Sequence, residues 1–502
     1  MLYRSRITRT ATTQHQPRIR RPELRRLTEG ARDHWPLVAV VFVGGLMRLL
    51  TMVGYPPALL FPDSWGYISS AYSGIPNELP TVHPVGYPML IRIFTLGSHN
   101  LAYLTGFQHL GGIAIGITVY ALLRRAGLPR WAATAAAALT LLDGYGITLE
   151  QYVMSDTFFA VLSVAAVVVI AWPQIVRGPG ASEGAADGRP SGGALTRRAL
   201  LAGLLLAAAT LVRENGPFVL PVLIVYLLWL RAGWRPLVAL ILAMAIPLLI
   251  YGAAVDREYN VFGMTTTSGW TWYGRVGGFA NCEGLKLTAT ERKLCETPAQ
   301  RASHPSEPDW YVWGPSPAQK LFHPDTQSHD QIAPTNQVLN KFAKTIIEHQ
   351  PLDFVGATLR DFIHYFTPDV TAYQDAISAT SLPKRASAEA RSPAVQRADL
   401  PGLKPQVRGV GKLVRAYRSV VHVPRPVLAL LTIAAALALL LRTRWRREIW
   451  LFTGSGVLML LGTAATGGFG LRYLIPAVPL IAVGGGLAVA DLIARLRGRA
   501  TA

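Results

Sequence analysis

Several ionisable residues lie beside long apolar segments. Burying a charge in apolar surroundings costs free energy, so each of these residues is expected to have a structural or functional role. Carboxylates in such positions can take up a proton as general bases, and arginines can hold a phosphate. If the apolar segments cross a membrane, one group of these residues maps to the same rim and is expected to share a polar cavity. The group is Asp63, Glu78, His83, Asp143, Glu150, Asp156, Arg213, Glu214 and Arg472.

Asp63 is the first candidate for a catalytic base. It follows Pro62 just beyond the first apolar segment, and on a helix it would share a face with Tyr67, a candidate substrate contact. An Asp at a helix start is also often only a cap. The same two interpretations hold for Asp156, which opens another apolar segment after Ser155.

The basic candidates lie beside Gly and Pro. In "HPVGYP", two prolines and a glycine would hold His83 in a rigid turn. Arg213 in "LVRENGPFVLP" and Arg472 in "GGFGLRYLIPAVP" carry guanidinium groups, whose fixed fork suits a phosphate. Ordinary anchoring at the membrane interface is the alternative. Arg48, deeper in the first apolar segment, is expected to pair with one of the acids.

The elements that must position these side chains are membrane-spanning helices. Hydrophobic residues make up 51% of the 502 residues and charged residues 16%, and the apolar residues form blocks long enough for a bilayer. The sequence predicts an all-α polytopic membrane protein with about ten transmembrane helices and shorter helices on the outer surface. The spans are expected at 36–54, 101–123, 131–147, 153–173, 199–212, 216–232, 236–255, 424–441, 449–466 and 473–491.

Arginine distribution predicts the orientation. With the N-terminus inside, the short cytoplasmic segments hold 25 arginines and the short outer segments three, as the positive-inside rule requires. Both termini are therefore expected in the cytoplasm, in a bacterial cytoplasmic membrane. The net charge of +20 follows this distribution, so nucleic acid is not an expected partner. The predicted parts are a basic arm (1–35), an N-terminal core (36–255) with a first outer loop (55–100), a long extracytoplasmic loop (256–423), C-terminal helices (424–491) and a basic tail (492–502).

The long loop holds both cysteines. Cys282 and Cys295 are 13 positions apart in a compartment expected to be oxidising, which favours a disulfide over free thiols. In the aromatic patch "GWTWYGRVGGF", Trp270, Trp272 and Tyr273 are candidate faces for stacking on a sugar.

The order of motifs resembles the membrane glycosyltransferases of the GT-C superfamily, of the protein-mannosyltransferase and aminoarabinose-transferase type. "PDSWGY" follows the first span, then come "HPVGYP", "YVMSDTFF", "LVRENGPFVLP" and a late "RYLIPAVP". The resemblance implies an inverting transferase for a hexose or pentose. The donor would be a polyprenyl-phosphate sugar, and the acceptor a hydroxyl of a glycan, lipid or protein. It also implies that Asp63 is the base, that Asp156 orients the acceptor, and that His83, Arg213 and Arg472 hold the phosphate. Glu78 is a further candidate for contact with the acceptor or sugar.

Two departures from the family pattern limit the resemblance. Ser64 stands where protein mannosyltransferases have a second acid, which puts a bound divalent metal in doubt. A divalent metal stays an open alternative without support from the sequence, and no other cofactor is expected. His83 replaces a lysine of the aminoarabinose transferases, so a pH-sensitive phosphate contact is expected. The rival functions are a transporter or flippase of lipid-linked glycans, which would more often show repeated halves, and a scaffold for envelope assembly.

Overall fold

The protein is helical throughout the part of the chain that our computed structural model describes, which comprises residues 34–72, 82–98, 100–177, 192–324, 328–368, 382–384 and 406–500. The first ten helices are α1 (Trp35–Gly54), α2 (Pro62–Tyr72), α3 (Gly86–Thr95), α4 (Leu101–Arg125), α5 (Arg130–Leu141), α6 (Gly144–Gln151), α7 (Asp156–Arg177), α8 (Gly192–Val212), α9 (Leu220–Trp229, preceded by the 3-10 turn Gly216–Val219) and α10 (Trp234–Tyr259).

The remaining helices form a compact insertion and the C-terminal membrane helices. The insertion, here called the loop subdomain, comprises α11 (Ser268–Gly277), α12 (Ala289–Arg292), α13 (Pro298–Arg301), α14 (Pro308–Trp313), α15 (Pro317–Phe322), α16 (His329–His349) and α17 (Pro351–His364). The chain then continues with α18 (Gly411–Val420), α19 (Arg425–Leu440), α20 (Arg446–Thr466), α21 (Leu471–Leu474) and α22 (Val478–Ala500).

Apolar helices occur at every position where the sequence predicts a span. Among the described residues, seven helices are long and apolar enough to cross a membrane, or up to nine if two bent pairs each count as one span. The bent pairs are α5 with α6, at 42°, and α18 with α19, at 43°. The predicted span 216–232 is the shorter apolar helix Gly216–Trp229. The prediction of a polytopic helical membrane protein is confirmed.

A buried charge network joins α1 to the bend between α5 and α6. Arg48 donates to both carboxylate oxygens of Glu150, at 2.7 and 2.8 Å, and to the carbonyl oxygen of Leu141, at 2.7 Å. Leu141 ends α5, and its carbonyl has no helical partner because the helix stops there. The ring of His109 lies 2.7 Å from Glu150 and 2.9 Å from Gln151. The expected pairing of Arg48 with an acid is confirmed.

A backbone bridge places α2 against the start of α7. Leu59 donates to the carbonyl of Gln151 at 2.9 Å and accepts from Val153 at 3.0 Å. In the first turn of α2, the hydroxyl of Ser64 donates to the carbonyl of Val153 at 2.8 Å. Because α2 is anchored here, its first turn is held close to the first turn of α7.

The loop subdomain has its own hydrophobic core and is tied to the membrane helices by α17. Four of its helices, α13, α14, α15 and α17, begin with proline, which suits a first turn because no N–H is needed there. Helix α17 packs on α20, and the hydroxyl of Tyr365 donates to the carbonyl of Gly468 at 3.2 Å. Gly468 has φ +81°, and a Cβ there would lie 2.7 Å from Pro308. This close approach brings α14 against the segment before α21.

Cys282 and Cys295 form the predicted disulfide, which closes a loop at the edge of the subdomain core. If this region is extracytoplasmic, a membrane-impermeant thiol reagent applied to intact cells should label both cysteines only after a reductant is added. Mass spectrometry of the labelled peptide is the measurement. Labelling that requires cell lysis as well as reduction would place the loop in the cytoplasm and contradict the arginine-based orientation.

Candidate active site

A cavity of about 280 Å³ lies between the membrane helices and the loop subdomain. Its membrane-side wall is formed by α2, the turn before α3, the segment after α8, and the α20–α21 segment, while α11 and α14 close it from the other side. The polar residues of the membrane-side wall are Asp63, Tyr67, His83, Arg213, Glu214, Asn215, Thr463, Thr466, Arg472 and Tyr473. Of the residues expected to share one cavity, five line it: Asp63, His83, Arg213, Glu214 and Arg472.

Asp63 and Arg472 form an ion pair across this cavity although they are 409 positions apart. Nη1 of Arg472 donates to Oδ2 of Asp63 at 2.7 Å, and both side chains are largely buried. Burial opposes the charged carboxylate, but Arg472 outweighs it with help from His83 and Arg213, so the pKa of Asp63 is lowered below its ordinary value. The carboxylate is therefore ionised at neutral pH and points to an arginine across the site.

Asp156 and Arg213 form the second pair. Asp156 is the first residue of α7, and its Oδ2 lies 2.9 Å from Nη1 of Arg213. Apart from this ion pair, neither oxygen of Asp156 has a partner among the described residues, and no backbone N–H donates to either of them. A capping role would require the helix N–H groups as partners, so the capping interpretation is wrong for Asp156. Its carboxylate instead forms an ion pair with Arg213, the residue that directly follows α8.

Both arginines converge on one aromatic ring. The guanidinium carbons of Arg213 and Arg472 lie 4.8 and 5.1 Å from the centroid of the Tyr473 ring, and Nη2 of Arg472 donates to its hydroxyl at 3.2 Å. Asn215 donates to Thr463 at 3.0 Å, which fixes the segment carrying Arg213 against α20. Each guanidinium has five N–H donors, so both can bind an anion while keeping their carboxylate partners.

His83 stacks on Tyr67 behind the Asp63–Arg472 pair. The two ring centroids are 4.2 Å apart, and the hydroxyl of Tyr67 lies 2.9 Å from that of Ser155. The turn is held against α8 because Gly86 has no Cβ, which would lie 2.6 Å from the backbone of Leu211. Burial lowers the pKa of His83 to about 4, with Asp63 opposing and Arg472 and Arg213 adding to the shift. The ring is neutral at pH 7, so in the free site the titration expected near neutral pH does not occur.

Asp309, in the first turn of α14, is a site residue that the sequence analysis missed. It lines the cavity opposite Asp63, and burial together with Asp63 raises its pKa to about 6 despite Arg472 and Arg213. An acid with a pKa this close to neutral is a candidate for proton exchange. The available signal was the stretch "EPDWYVW", in which an acid is enclosed by proline and two tryptophans.

The proposed stacking faces need correction. Trp270 and Tyr273 are 7% and 0% exposed and belong to the core of the loop subdomain. Their rings cannot reach a ligand, so a stacking role is wrong for both. Trp272 does line the cavity. The sequence pattern could not separate them because neighbouring aromatic residues on a helix point in different directions.

The remaining predicted residues lie elsewhere. Asp143 caps α6, accepting from the backbone of Tyr145 and Gly146, and Glu150 is bound by Arg48. Glu78 lies outside the described residues. Within the described ranges, no group of three or more His, Cys, Asp or Glu side chains is arranged to hold a metal ion.

Comparison with known proteins supports the resemblance drawn from the motifs. Residues 92–256 match the family model "Dolichyl-phosphate-mannose-protein mannosyltransferase". The match covers 165 residues, about a third of the chain, and includes Asp156 and Arg213 but not Asp63, His83 or Arg472. No curated protein matched. Over this segment the match confirms the resemblance to the protein-mannosyltransferase type that the motifs suggest.

Two groups of solved structures are distantly similar to this chain. The oligosaccharyltransferase of Archaeoglobus fulgidus, solved with a tethered acceptor peptide, is 12% identical with a TM-score of 0.44, and the similarity covers 93% of this chain and 50% of that one. The chain therefore spans about half the length of that relative. ArnT from Cupriavidus metallidurans, bound to undecaprenyl phosphate, is 17% identical with a TM-score of 0.32, covering 90% of this chain and 77% of that one.

Proposed function

We propose that this protein is an inverting glycosyltransferase that moves a hexose or pentose from a polyprenyl-phosphate donor to an acceptor hydroxyl. It would act on the extracytoplasmic face of a bacterial cytoplasmic membrane, in the assembly of cell-envelope glycans or glycoconjugates. The observation that carries the proposal is that two arginines on the wall of one cavity, Arg472 and Arg213, are each held by a carboxylate. Asp63, which also lines the cavity, pairs with Arg472, and the buried Asp156 pairs with Arg213 from behind the wall. The family match over residues 92–256 supports it.

The reaction is a single in-line displacement at the anomeric carbon. The acceptor oxygen forms a bond to that carbon while the bond to the phosphate oxygen breaks, and polyprenyl phosphate leaves with the electron pair. Asp63 takes the proton of the acceptor hydroxyl as general base. Arg213 and Arg472 bind the departing phosphate, where negative charge develops, and the neutral ring of His83 can donate one N–H to it. Attack opposite to the leaving group inverts the anomeric centre.

Arg472 links the two halves of this mechanism. Its planar guanidinium can hold Asp63 with one nitrogen and a phosphate with another. A bound phosphate adds negative charge beside the pair and weakens the hold of Arg472 on Asp63. The carboxylate, whose basicity is lowered in the free site, would then become a stronger base once the donor is present. Binding of the donor thus prepares the base.

The direct test is to incubate the purified protein with a panel of polyprenyl-phosphate sugars and acceptors and to measure release of polyprenyl phosphate. We expect at least one donor to be consumed with inversion of the anomeric configuration, detected by NMR of the product. Consumption of none of the donors, by protein shown to be folded, would contradict the proposal.

Replacing Arg472 should weaken donor binding more than it slows turnover. Loss of a hydrogen bond to a charged group costs about 1.5–3 kcal/mol, or roughly 10- to 150-fold in affinity. We expect a loss in this range for Arg472→Ala and a smaller one for Arg472→Lys, which keeps the charge without the fork. Binding of a polyprenyl phosphate to the detergent-solubilised protein is the measurement.

Arg360→Ala is the matched control, because Arg360 is exposed on α17 and does not line the cavity. An unchanged affinity in Arg472→Ala would remove Arg472 from the donor site and leave Arg213 as the phosphate ligand.

A further inference from the structure

The two walls of the cavity differ in chemistry. The membrane-side wall carries Arg472 paired with Asp63, and Arg213, whose partner Asp156 is buried outside the lining. The polar and aromatic residues of the loop-subdomain wall are Thr267, Ser268, Thr271, Trp272, Asp309 and Trp313. A lipid phosphate is attracted to the arginines, so the donor phosphate occupies the membrane side. The opposite wall is left for the acceptor, and its residues therefore report the chemical class of the acceptor.

Asp309 is placed to receive hydroxyl groups. Within the described residues, no hydrogen bond or ion-pair contact occupies its carboxyl group, although the residue lines the cavity. Its pKa of about 6 means that it can accept a hydrogen bond as carboxylate or donate one as acid near neutral pH. Thr271 uses its hydroxyl proton on the carbonyl of Thr267, at 3.2 Å, so its oxygen can still accept. The carboxyl group of Asp309 and the hydroxyl oxygen of Thr271 can therefore both accept a hydrogen bond from a hydroxyl group of a ligand.

Two tryptophans supply flat apolar surface beside these polar groups. Trp272 is half-buried against the subdomain core, and Trp313, which lines the same wall, is 60% exposed. A large exposed aromatic ring beside a polar cavity is typical of a binding site, since an indole offers an apolar face and one N–H donor. The C–H faces of a sugar ring pack on such a surface while its hydroxyls reach neighbouring carboxylates.

We propose that the acceptor is an uncharged carbohydrate, with its ring against Trp272 or Trp313 and a hydroxyl bound by Asp309. This inference rests on the proposed function. The cavity volume of about 280 Å³ is at the lower end of small-ligand pockets, so it suits individual sugar rings better than a folded protein segment. The described residues offer no β-strand whose edge could pair with an extended peptide. An anionic acceptor would be repelled by Asp309.

The test measures acceptors both without and with donor, using the full-length protein. Methyl glycosides of mannose, glucose, galactose and arabinose are compared with a Ser- and Thr-containing peptide. Without donor, we expect a glycoside to bind the wild type, measured by isothermal titration calorimetry, and Trp313→Ala to weaken that binding. With saturating donor, we expect Asp309→Asn to raise the KM of the same glycoside by about 5-fold or more, because a charge-assisted hydrogen bond is replaced by a weaker one to a neutral amide. Its kcat should change less, because Asp63 still takes the proton.

Matched controls separate this effect from damage to the fold. Asp353→Asn makes the same change at an exposed position on α17, and Trp131→Ala removes a tryptophan that is 72% exposed on α5. Neither should affect glycoside binding or acceptor KM, and Trp313→Phe, which keeps an aromatic face, should bind glycoside better than Trp313→Ala.

Three outcomes would overturn the inference: use of the peptide but no glycoside, an unchanged KM in Asp309→Asn, or neither binding nor turnover with any glycoside. Glycoside binding without consumption of any donor would support the acceptor site while contradicting the proposed transfer reaction.

Discussion

Asp63→Asn should abolish transfer while the protein still folds and binds donor. General-base catalysis typically contributes about 10² to 10⁴ in rate, so turnover should fall by this factor. Asn has nearly the size of Asp and stabilises the first turn of a helix about as well, so the local structure of α2 should be kept. What is lost is the ability to take up a proton and the charge that binds Arg472 at 2.7 Å.

The ion pair adds a second, opposite expectation for the same variant. Without the carboxylate, Arg472 is free to give its donors to the phosphate, so donor affinity should be equal to or higher than that of the wild type. A residue with a purely structural role would lower binding and turnover together. The measurements are initial rates of polyprenyl phosphate release and equilibrium binding of a polyprenyl phosphate.

Asp353→Asn is the control, because it makes the same substitution at an exposed position outside the cavity. Near-normal turnover in Asp63→Asn would assign Asp63 a structural role. The base would then be sought at Asp156 or Asp309, which are the other acids near the two arginines.

Arg48→Met should cause the largest loss of stability. Arg48 is 2% exposed, and Glu150, which it holds through two hydrogen bonds, is 5% exposed. Removing one partner of a buried pair leaves an uncompensated charge and typically costs about 3–5 kcal/mol. The substitution also leaves the carbonyl oxygen of Leu141, at the end of α5, without the hydrogen bond that Arg48 donates to it. Thermal unfolding of the purified protein in one detergent is the measurement.

A double variant distinguishes lost charge balance from lost packing. Arg48→Met combined with Glu150→Gln removes both charges, so it should be more stable than Arg48→Met alone, and the non-additivity measures the coupling of the pair. Arg360→Met, at an exposed position, should change the unfolding temperature little. A double variant no more stable than Arg48→Met would show that packing, rather than the charge of Glu150, dominates.

The amino-acid sequence by itself determined the membrane class, the helix positions and the disulfide. These features depend on local properties: runs of apolar residues long enough for a bilayer, and two cysteines with no other candidate partner. Asp63, Asp156, Arg213 and Arg472 could also be named, because an ionisable residue beside an apolar span is costly and therefore conspicuous. His83 was named from its rigid turn, but its charge state was not, since only burial in the folded protein lowers its pKa.

Only the tertiary structure decided which of these residues meet. The partners Asp63 and Arg472 are 409 positions apart, and Arg48 and Glu150 are 102 apart, so no local pattern contains the pairing. Asp309 was missed because it lies far from any apolar span in the sequence. An acid in such a segment is expected to face solvent without a desolvation penalty, so nothing in the sequence distinguishes it from other surface acids. It reaches the cavity because Gly468 lets Pro308 approach closely. Trp270 and Trp272 look alike in sequence, and their different roles follow from packing, which buries one ring in the core and leaves the other at the cavity.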